Sequence, residues 1–519
     1  MSTKVKEALF ELIKSMTKSE KRYFKLLAGR HTIGDENNYV ILFDFLDKQS
    51  IYDEELIFKF FQKEAFINRF SITKKRLYDH ILAALDAFHS TNSIDAQLHK
   101  QLHAVDILYN KALYDQAKRI LRSAEKVAIK NERYIFLQEI SRLNKKMIEN
   151  EGYTDESLPL IEKLSVTDLE MEEHIRHYNL YWQIKSQLFS TLNKKGIARS
   201  DEDRAAYLRI FQQLREPSER ASFEEIYLYN HIQSAYYYAI QDFESSVIHL
   251  EKNLSHFEKN SEALKNQLNT YLSILTNSIY IHESLGNRGV ADVLLIKLTT
   301  LANEHGPDLN DDMQIKLFAS SRSVELIIHI KRGDFQEALT LIPEIERGID
   351  LYDGKITSLR RSFLSFKIAT VYLGVYNYSA ALKWVNKIFN DPDLDPSEDI
   401  FAFTYLIDLL IHMEMKHSQL LPYALKNSQR FLKSRNKMHD FEKVFLQFIA
   451  KQIKCKDRFD EEENWQELLT SLNAFSSDKI EKIAMDYFDF RAWAEYKVTK
   501  KDFVKIVKDG NSPSQKKAS

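Results

Sequence analysis

The chain has 519 residues, with 73 Lys and Arg against 75 Asp and Glu, one cysteine, 12 glycines and 8 prolines. Glycine and proline together make up about 4% of the residues, against roughly 12% in an ordinary soluble protein, so a β-sandwich, propeller or α/β barrel would lack its usual turn residues. The single cysteine excludes a disulfide framework, and the 44% hydrophobic content excludes a disordered chain. The net charge of −2 argues against binding of the whole protein to nucleic acid or an anionic membrane through electrostatic attraction alone.

The N-terminal segment has no secretory character, because charged residues from Lys4 to Lys14 interrupt what would have to be an apolar core. No window reaches the ~20 uninterrupted apolar residues that a membrane-spanning helix needs. We therefore expect a cytoplasmic all-α protein. Its abundant Lys, Ile, Asn, Phe and Tyr are typical of a bacterial genome of low GC content.

Residues 1–92 are predicted to form a separate helical head that caps the rest of the chain. Its predicted helices lie near 3–15, 18–29, 37–49, 53–66 and 72–89. Thr17 and Asp53 are suited to be N-caps of two of them. No long repeat is visible within this region.

The end of the head resembles a helix-turn-helix segment over residues 66–81. An apolar residue and a turn precede Ser71, a candidate N-cap, and a basic second helix follows. Ile67 and Ser71 stand where the motif prefers alanine and glycine. The residues that would face DNA are Lys74, Lys75 and Arg76. The alternative interpretation is an ordinary capped core helix whose basic first turn is solvated.

A corner between two helices is clearest at residues 331–335. One helix ends at Gly333, a residue suited to a left-handed C-terminal position, and the next begins at Phe335. Apolar residues then follow at offsets 0, 3, 4, 7 and 10, which place them on one helix face. These residues are Phe335, Ala338, Leu339, Ile342 and Ile345. The same spacing recurs, in part more loosely, in helices that begin at Tyr378, Tyr114 and Phe243.

The corners recur at a nearly constant interval. The distance is 45 residues from Phe243 to Arg288 and 47 from Arg288 to Phe335. A further 43 residues lead to Tyr378, and a weaker corner lies about 40 residues later, at 416–418. Such a period is typical of stacked helical hairpins.

The corner residues resemble the tetratricopeptide (TPR) signature. The first set that carries the resemblance is Gly333, Phe335 and Ala338, and the best-matching unit has Ile368, Ala369, Tyr372, Tyr378 and Ala381 in the family's slots. The family's period is roughly 34 residues, about ten shorter than this one. Glu325 and Leu326 also depart from the pattern. The resemblance implies a right-handed α-solenoid, TPR-like with lengthened helices, over residues 95–495, and a scaffold that binds a protein or peptide along its concave face.

No motif for a metal, a cofactor or catalysis is complete. The His99/His103 and His174/His177 pairs have ligand spacing but no acidic or cysteine partners nearby. The acidic run 391–395 begins like a calcium loop, but Pro396 replaces the required glycine, so we expect a capped helix start with Asp395 as the cap and Glu398 closing a capping box. Neighbouring lysines would favour a thiolate at Cys455, yet no base is assignable beside it. We predict a protein that is not an enzyme and has no cofactor.

Tyrosines crowd one predicted helix near residue 230. They are Tyr227, Tyr229, Tyr236, Tyr237 and Tyr238. Because five such residues cannot share one stripe, we expect some to face outward, with Tyr237 and Tyr238 as candidates for contacting a partner. The alternative is that they bridge neighbouring repeats.

These observations predict a non-enzymatic scaffold or adaptor that binds a protein or peptide. The alternative is a transcriptional regulator whose head contacts DNA through the helix-turn-helix-like segment while TPR-like repeats act as a sensor. No small-molecule substrate and no membrane are indicated. Residues 509–519 are predicted to be a disordered basic tail.

Overall fold

The computed structural model describes residues 7–29, 38–89, 93–305, 311–352, 354–395, 399–435, 437–455, 457–475 and 483–510. Within these residues the fold is helical and contains no strand, which confirms the all-α prediction. The predicted tail beyond residue 510 and the capping box at 396–398 lie outside the described residues.

The chain divides into two compact units, Met1–Ile175 and Arg176–Ser519, which we call unit 1 and unit 2. The helices of unit 1 are α1 (Ala8–Ser15), α2 (Lys18–Gly29), α3 (Asn38–Lys48), α4 (Glu54–Phe60), α5 (Phe70–His89), α6 (Ile94–Asn110), α7 (Tyr114–Lys130) and α8 (Tyr134–Glu151). The boundary between the units falls within α9 (Leu158–Lys195).

Both predicted N-caps in the head are confirmed. The Glu20 N–H donates to Thr17 Oγ1 at 3.3 Å, and the Thr17 N–H donates to Glu20 Oε2 at 2.6 Å, which is a reciprocal capping box. The Leu56 N–H donates to Asp53 Oδ1 at 2.9 Å. These local bonds satisfy N–H groups that have no partner within their own helix.

The predicted helix 53–66 is shorter in the structure. It ends at Phe60 as α4, and a 3₁₀ turn, Ala65–Arg69, follows it. The break brings the rings of Phe61 and Phe66 to 5.2 Å from each other, and the Phe61 side chain is buried in the core of the head. Burial of the Phe61 ring is therefore more favourable here than continuation of α4.

The helices of unit 2 that follow α9 are α10 (Asp201–Phe211), α11 (Phe223–Ala239), α12 (Phe243–Glu258), α13 (Ser261–Asn266), α14 (Leu268–Leu285), α15 (Arg288–His305), α16 (Asp311–Arg332), α17 (Phe335–Leu351), α18 (Ser358–Gly374), α19 (Tyr378–Phe389), α20 (Asp399–Glu414), α21 (Leu421–Ser434), α22 (Asp440–Lys454), α23 (Arg458–Ala474), α24 (Ile483–Tyr487), α25 (Phe490–Thr499) and α26 (Phe503–Gly510).

Most helices of unit 2 form consecutive pairs joined at a left-handed corner residue. The corner residues, all with positive φ, are Gln241, Gly286, Gly333, Tyr376 and Lys416. They join α11 to α12, α14 to α15, α16 to α17, α18 to α19, and α20 to α21, and the two helices of each pair contact each other. We call α11, α14, α16, α18 and α20 the first helices. Along the chain, α14 contacts α16, α16 contacts α18, and α18 contacts α20.

An aromatic side chain at the start of a second helix packs against a glycine of the following pair. Phe335, the first residue of α17, is 2% exposed, and a Cβ atom on Gly374 of α18 would lie 2.3 Å from its ring. Ala338, one turn after Phe335, is fully buried. Only a residue without a side chain at 374 allows this approach, so the glycine sets the spacing of the two elements.

Residues near the start of unit 2 contact residues that come much later in the chain. The Lys437 ammonium group donates to the Lys194 carbonyl at 3.4 Å. A Cβ atom on Gly196 would overlap the Asp399 carboxylate, so the backbone and this side chain are in close contact. Residues 194–196 thus contact Asp399, the first residue of α20, and Lys437, which lies between α21 and α22.

The last three helices pack onto the earlier pairs. Trp493 of α25 is 1% exposed, and its ring lies 6.1 Å from that of Tyr376 and 6.4 Å from that of Tyr378. Phe503 of α26 lies 5.6 Å from Phe335. Asp486 of α24 contacts α16 and α18, because its carboxylate lies 3.6 Å from Lys331 Nζ and its carbonyl oxygen lies 3.4 Å from Lys367 Nζ. Throughout the described residues, every helix falls short of the length and apolarity needed to cross a bilayer.

Candidate functional site

Unit 2 contains a partly open cavity of about 510 Å³. All five first helices contribute to its wall, together with the end of α9, α12 and α24. Its volume lies within the roughly 300–1,000 Å³ that ligand sites occupy. The cavity is the candidate functional site, because it lies where consecutive helix pairs converge.

Short side chains explain why the helices leave space at this point. The small residues of the wall are Ser234, Ala235, Ser246 and Ser323. Their short side chains fill less of the space between the helices than leucine or isoleucine would. The hydroxyl of Ser234 donates to the His231 carbonyl at 2.9 Å and that of Ser246 to the Ser234 carbonyl at 2.9 Å, so both are satisfied by the backbone.

Lys367 is a buried cationic residue in the cavity wall. It lies in α18 and is 5% exposed. Its Nζ atom is 3.4 Å from the carbonyl oxygens of Asp486 and Tyr487, which is long for a hydrogen bond to an ammonium group. The same atom lies 5.5 Å from the ring of Phe363 and 5.7 Å from that of Phe366. No carboxylate in the described part of the chain forms an ion pair with it.

This environment disfavours the charged form of Lys367. Burial lowers its pKa to about 7, and the nearby charge of Lys331 lowers it further, while Asp486 opposes both effects. Near neutral pH the side chain therefore exchanges readily between the ammonium and amine forms.

The carboxylates of the wall already have cationic partners. Asp399 is paired with Lys437, and Asp486 Oδ1 lies 3.6 Å from Lys331 Nζ. Lys331 also donates to Ser284 Oγ at 2.9 Å. Arg360 lines the cavity and is exposed. The charges that remain to act on a ligand are consequently positive.

Three tyrosines add neutral hydroxyl groups to the wall. Tyr238 and Tyr280 meet edge to face at 6.2 Å, and the ring of Tyr487 is stacked on Phe403 at 3.8 Å. Burial raises the pKa of Tyr238 to about 12 and raises those of Tyr280 and Tyr487 well above the usual value. These phenols remain protonated at physiological pH and can donate hydrogen bonds.

His231 completes the polar part of the wall. Its ring lies between Phe189 at 5.2 Å and Tyr227 at 5.4 Å, stacked on both. Burial lowers its pKa to about 4, so the ring is neutral, and its buried Nδ1 has no hydrogen-bond partner in the described chain. A neutral imidazole of this kind can accept or donate one further hydrogen bond.

The structure places the two candidate tyrosines differently. Tyr238 lines the cavity, whereas Tyr237 stacks on His249 at 5.8 Å and lies 6.0 Å from Phe211. Of the five tyrosines, Tyr227 and Tyr236 are buried, and the other three are partly exposed. Their environment is set by α10 and α12, which contact α11, and by the cavity.

The basic residues of the helix-turn-helix-like segment lie in unit 1. Lys74 is paired with Glu7 at 3.3 Å and Glu54 at 3.5 Å, and its Nζ atom lies 5.0 Å from the Phe70 ring. Lys75 and Arg76 are exposed. Ser71 is inside α5, because the helix begins at Phe70 directly after the 3₁₀ turn.

The prediction of a favoured thiolate at Cys455 is wrong. Partial burial raises the pKa of the thiol, and Asp460 and Glu461 add to this effect, whereas a hydrogen bond from Asn464 at 3.0 Å opposes it. Burial and the acidic residues that follow Cys455 in the sequence therefore disfavour the thiolate.

The histidine pairs are engaged by other groups. His99 meets the Phe136 ring edge-on at 4.8 Å, His174 stacks on Tyr134 at 4.3 Å, and His177 Nδ1 lies 3.1 Å from Glu225 Oε1. Among the described residues, no group of three or more His, Cys, Asp and Glu side chains is placed to hold a metal ion.

No protein-family model, curated protein or solved structure matches this chain. The interpretation of the cavity therefore depends on its residues. Sequence reasoning missed Lys367, Tyr280 and Asp486. One signal was present, because Lys367 interrupts the apolar stretch from Phe366 to Ala369, where a lysine has no solvated face.

Proposed function

We propose that unit 2 is a right-handed, TPR-like α-solenoid that binds a protein or peptide partner without catalysing a reaction. Its support is the interval of 40 to 47 residues between left-handed corners, together with the successive contacts of the first helices. Stacked helical pairs present a continuous face of this kind to peptides in many repeat proteins.

The observation that carries the proposal is the composition of the cavity wall. Each of the five first helices contributes residues to one space, and that space combines apolar surface with phenol, imidazole and ammonium groups. Such a mixture anchors a side chain or chain end by burial and orients it by a few polar contacts.

The test uses the full chain to select peptides from a random displayed library, followed by fluorescence anisotropy on the synthetic peptides. The variant Asn277→Trp places a bulky ring at an exposed position of the cavity wall. Ser273→Trp, one turn earlier in α14 and also exposed, is outside the wall and is the matched control.

We expect Asn277→Trp to weaken binding at least about tenfold, equivalent to about 1.4 kcal/mol, while Ser273→Trp leaves it unchanged. Equal affinity in both variants would show that peptides bind elsewhere. Failure to select any peptide above background would count against a peptide-binding role altogether.

A second candidate function is DNA binding by unit 1, which the exposure of Lys75 and Arg76 favours. Lys75→Glu combined with Arg76→Glu tests it by retention on a DNA column at low salt. The control is Arg119→Glu combined with Arg122→Glu, two exposed arginines of α7. A loss of retention confined to the first pair would support this function, and equal retention would reject it.

A further inference from the structure

The ammonium group of Lys367 has only weak partners inside the protein. The two carbonyls at 3.4 Å and the neighbouring rings replace little of the hydration that burial removes. A buried charge without a counter-ion is costly, and it persists in a fold when another molecule supplies that counter-ion or when the protein tolerates the cost.

The surroundings of Lys367 indicate which charge a ligand that acts as its counter-ion would carry. Asp399 and Asp486 also line the cavity, and although each has a lysine partner, they would repel a dianion more strongly than a monoanion. Lys367 is a single point charge, and Arg360, whose forked donors could bind phosphate in two places, is an exposed residue of the wall. A monoanion with one or two acceptor oxygens fits best.

The remaining wall specifies the body of the ligand. Apolar residues from several helices line the cavity; they include Phe189 and Leu192 of α9 and Val324 and Ile327 of α16. Tyr238 and Tyr280, whose side chains are hydrogen-bonded to each other, add neutral hydroxyl groups. An apolar or aromatic body gains free energy by burial here, and a polar body would lose its hydration.

We propose that the cavity binds a carboxylate on an apolar body, with the Lys367 ammonium group as its counter-ion. Two sources have this chemistry, the free C-terminus of a peptide and a free organic acid. The inference deepens the proposed function, and it rests on that function only for the peptide source.

The test measures ligand binding to the full chain by calorimetry and ligand-observed NMR. The probes are hydrocinnamate, phenylbutyrate and N-acetyl-phenylalanyl-leucine, each compared with its own carboxamide. The amide keeps the shape and removes the charge. We expect each binding acid to bind about tenfold or more tighter than its amide, because a charge-assisted hydrogen bond is worth about 1.5–3 kcal/mol.

Lys367→Met removes the charge and nearly keeps the volume, so we expect it to abolish the preference for acids. Lys387→Met is the matched control, because Lys387 also lies over an aromatic ring, Trp384, at 3.5 Å but is outside the cavity wall. It should retain the full preference. Circular dichroism confirms that each variant is folded.

A second measurement needs no variant. Carboxylate binding to the wild-type chain should weaken as the pH rises from about 6 to about 9, because the lysine loses its proton. Binding of all probes with no difference between acid and amide, a preference that persists in Lys367→Met, or no binding by any of the acids would each overturn the inference.

The outcomes also separate this inference from the proposed function. Library peptides that depend on Asn277 but bind equally well as C-terminal amides would keep the function and reject the carboxylate site. Binding of hydrocinnamate without any peptide would keep the site, identify a free acid as the source and reject the peptide-binding role.

Discussion

Arg199 and Glu442 form a buried, bidentate ion pair although 243 residues separate them. The Nη1–Oε1 distance is 2.6 Å and the Nη2–Oε2 distance is 3.1 Å, with side chains 9% and 2% exposed. The pair joins the segment after α9 to the first turn of α22. Gly196, three residues before Arg199, lines the cavity together with Asp399, so the ion pair holds a segment that begins at the cavity wall.

Glu442→Gln should destabilise unit 2 by about 3 kcal/mol, because it removes the charge of the carboxylate that is paired in bidentate fashion with the buried Arg199 side chain. All four tryptophans belong to unit 2, so their fluorescence during urea unfolding reports this unit. The control is Asp440→Asn, two residues before Glu442 in α22. This variant breaks an exposed ion pair with Lys443 and should cost less than about 1 kcal/mol. Equal effects of the two variants would contradict a special role for the buried pair.

Gly374→Ala should destabilise unit 2 by about 1–3 kcal/mol, because the new Cβ atom would lie 2.3 Å from the buried Phe335 ring. Gly289→Ala has no atom within 4 Å of the new Cβ and lies in the first turn of α15, so it should be neutral or slightly stabilising. The measurement is again tryptophan fluorescence in urea. A Gly374→Ala chain as stable as the wild type would mean that the α17–α18 contact is loose.

Lys367→Met should stabilise the protein, and the gain should shrink at alkaline pH. The folded pKa of Lys367 is about 7 and its ordinary value is 10.5, so between these values the unfolded chain binds the extra proton. Wild-type stability therefore rises through this window, by up to about 1.4 kcal/mol per pH unit from this group. The groups that face it are Lys331, Asp486 and Tyr487, and all are unchanged in the variant.

The measurement compares the free energies of unfolding of wild type and Lys367→Met at about pH 7 and about pH 9. Their difference should be largest at the lower pH. A difference independent of pH would show that the lysine is not buried as the structure has it.

Asp408→Asn should remove a pH dependence of the opposite sign. Burial raises the pKa of Asp408 from 3.8 to about 7, so between these values the folded chain holds a proton that the unfolded chain has lost. Wild-type stability from this group falls as the pH rises through the window. His412, whose Nε2 lies 3.5 Å from Asp408 Oδ1, has a lowered pKa because of burial and the nearby His417, so it does not fully compensate.

Unfolding of Asp408→Asn at about pH 5 and about pH 7 tests this expectation. The variant should be more stable than the wild type at the higher pH and closer to it at the lower pH. The reverse order would mean that a charged His412 stabilises the Asp408 carboxylate.

Short-range patterns identify most helices and corners of this chain correctly. Gly333 has a positive φ as predicted, and the weaker corner at 416–418 is present with Lys416 at φ 56°. Capping residues such as Thr17 and Asp53 act within three residues of themselves. Information of this kind is local, because it depends on hydrogen bonds and sterics between neighbours along the chain.

The all-α fold class, the corners and the interval between corners can be predicted from the amino-acid sequence, because helical periodicity and capping depend only on nearby residues. The cavity does not follow from them. Its wall combines residues of α9, α12, α24 and the five first helices, and only tertiary packing brings these helices together. For the same reason Lys367 is buried, because the backbone carbonyls that face its ammonium group belong to Asp486 and Tyr487, 119 and 120 residues further along the chain.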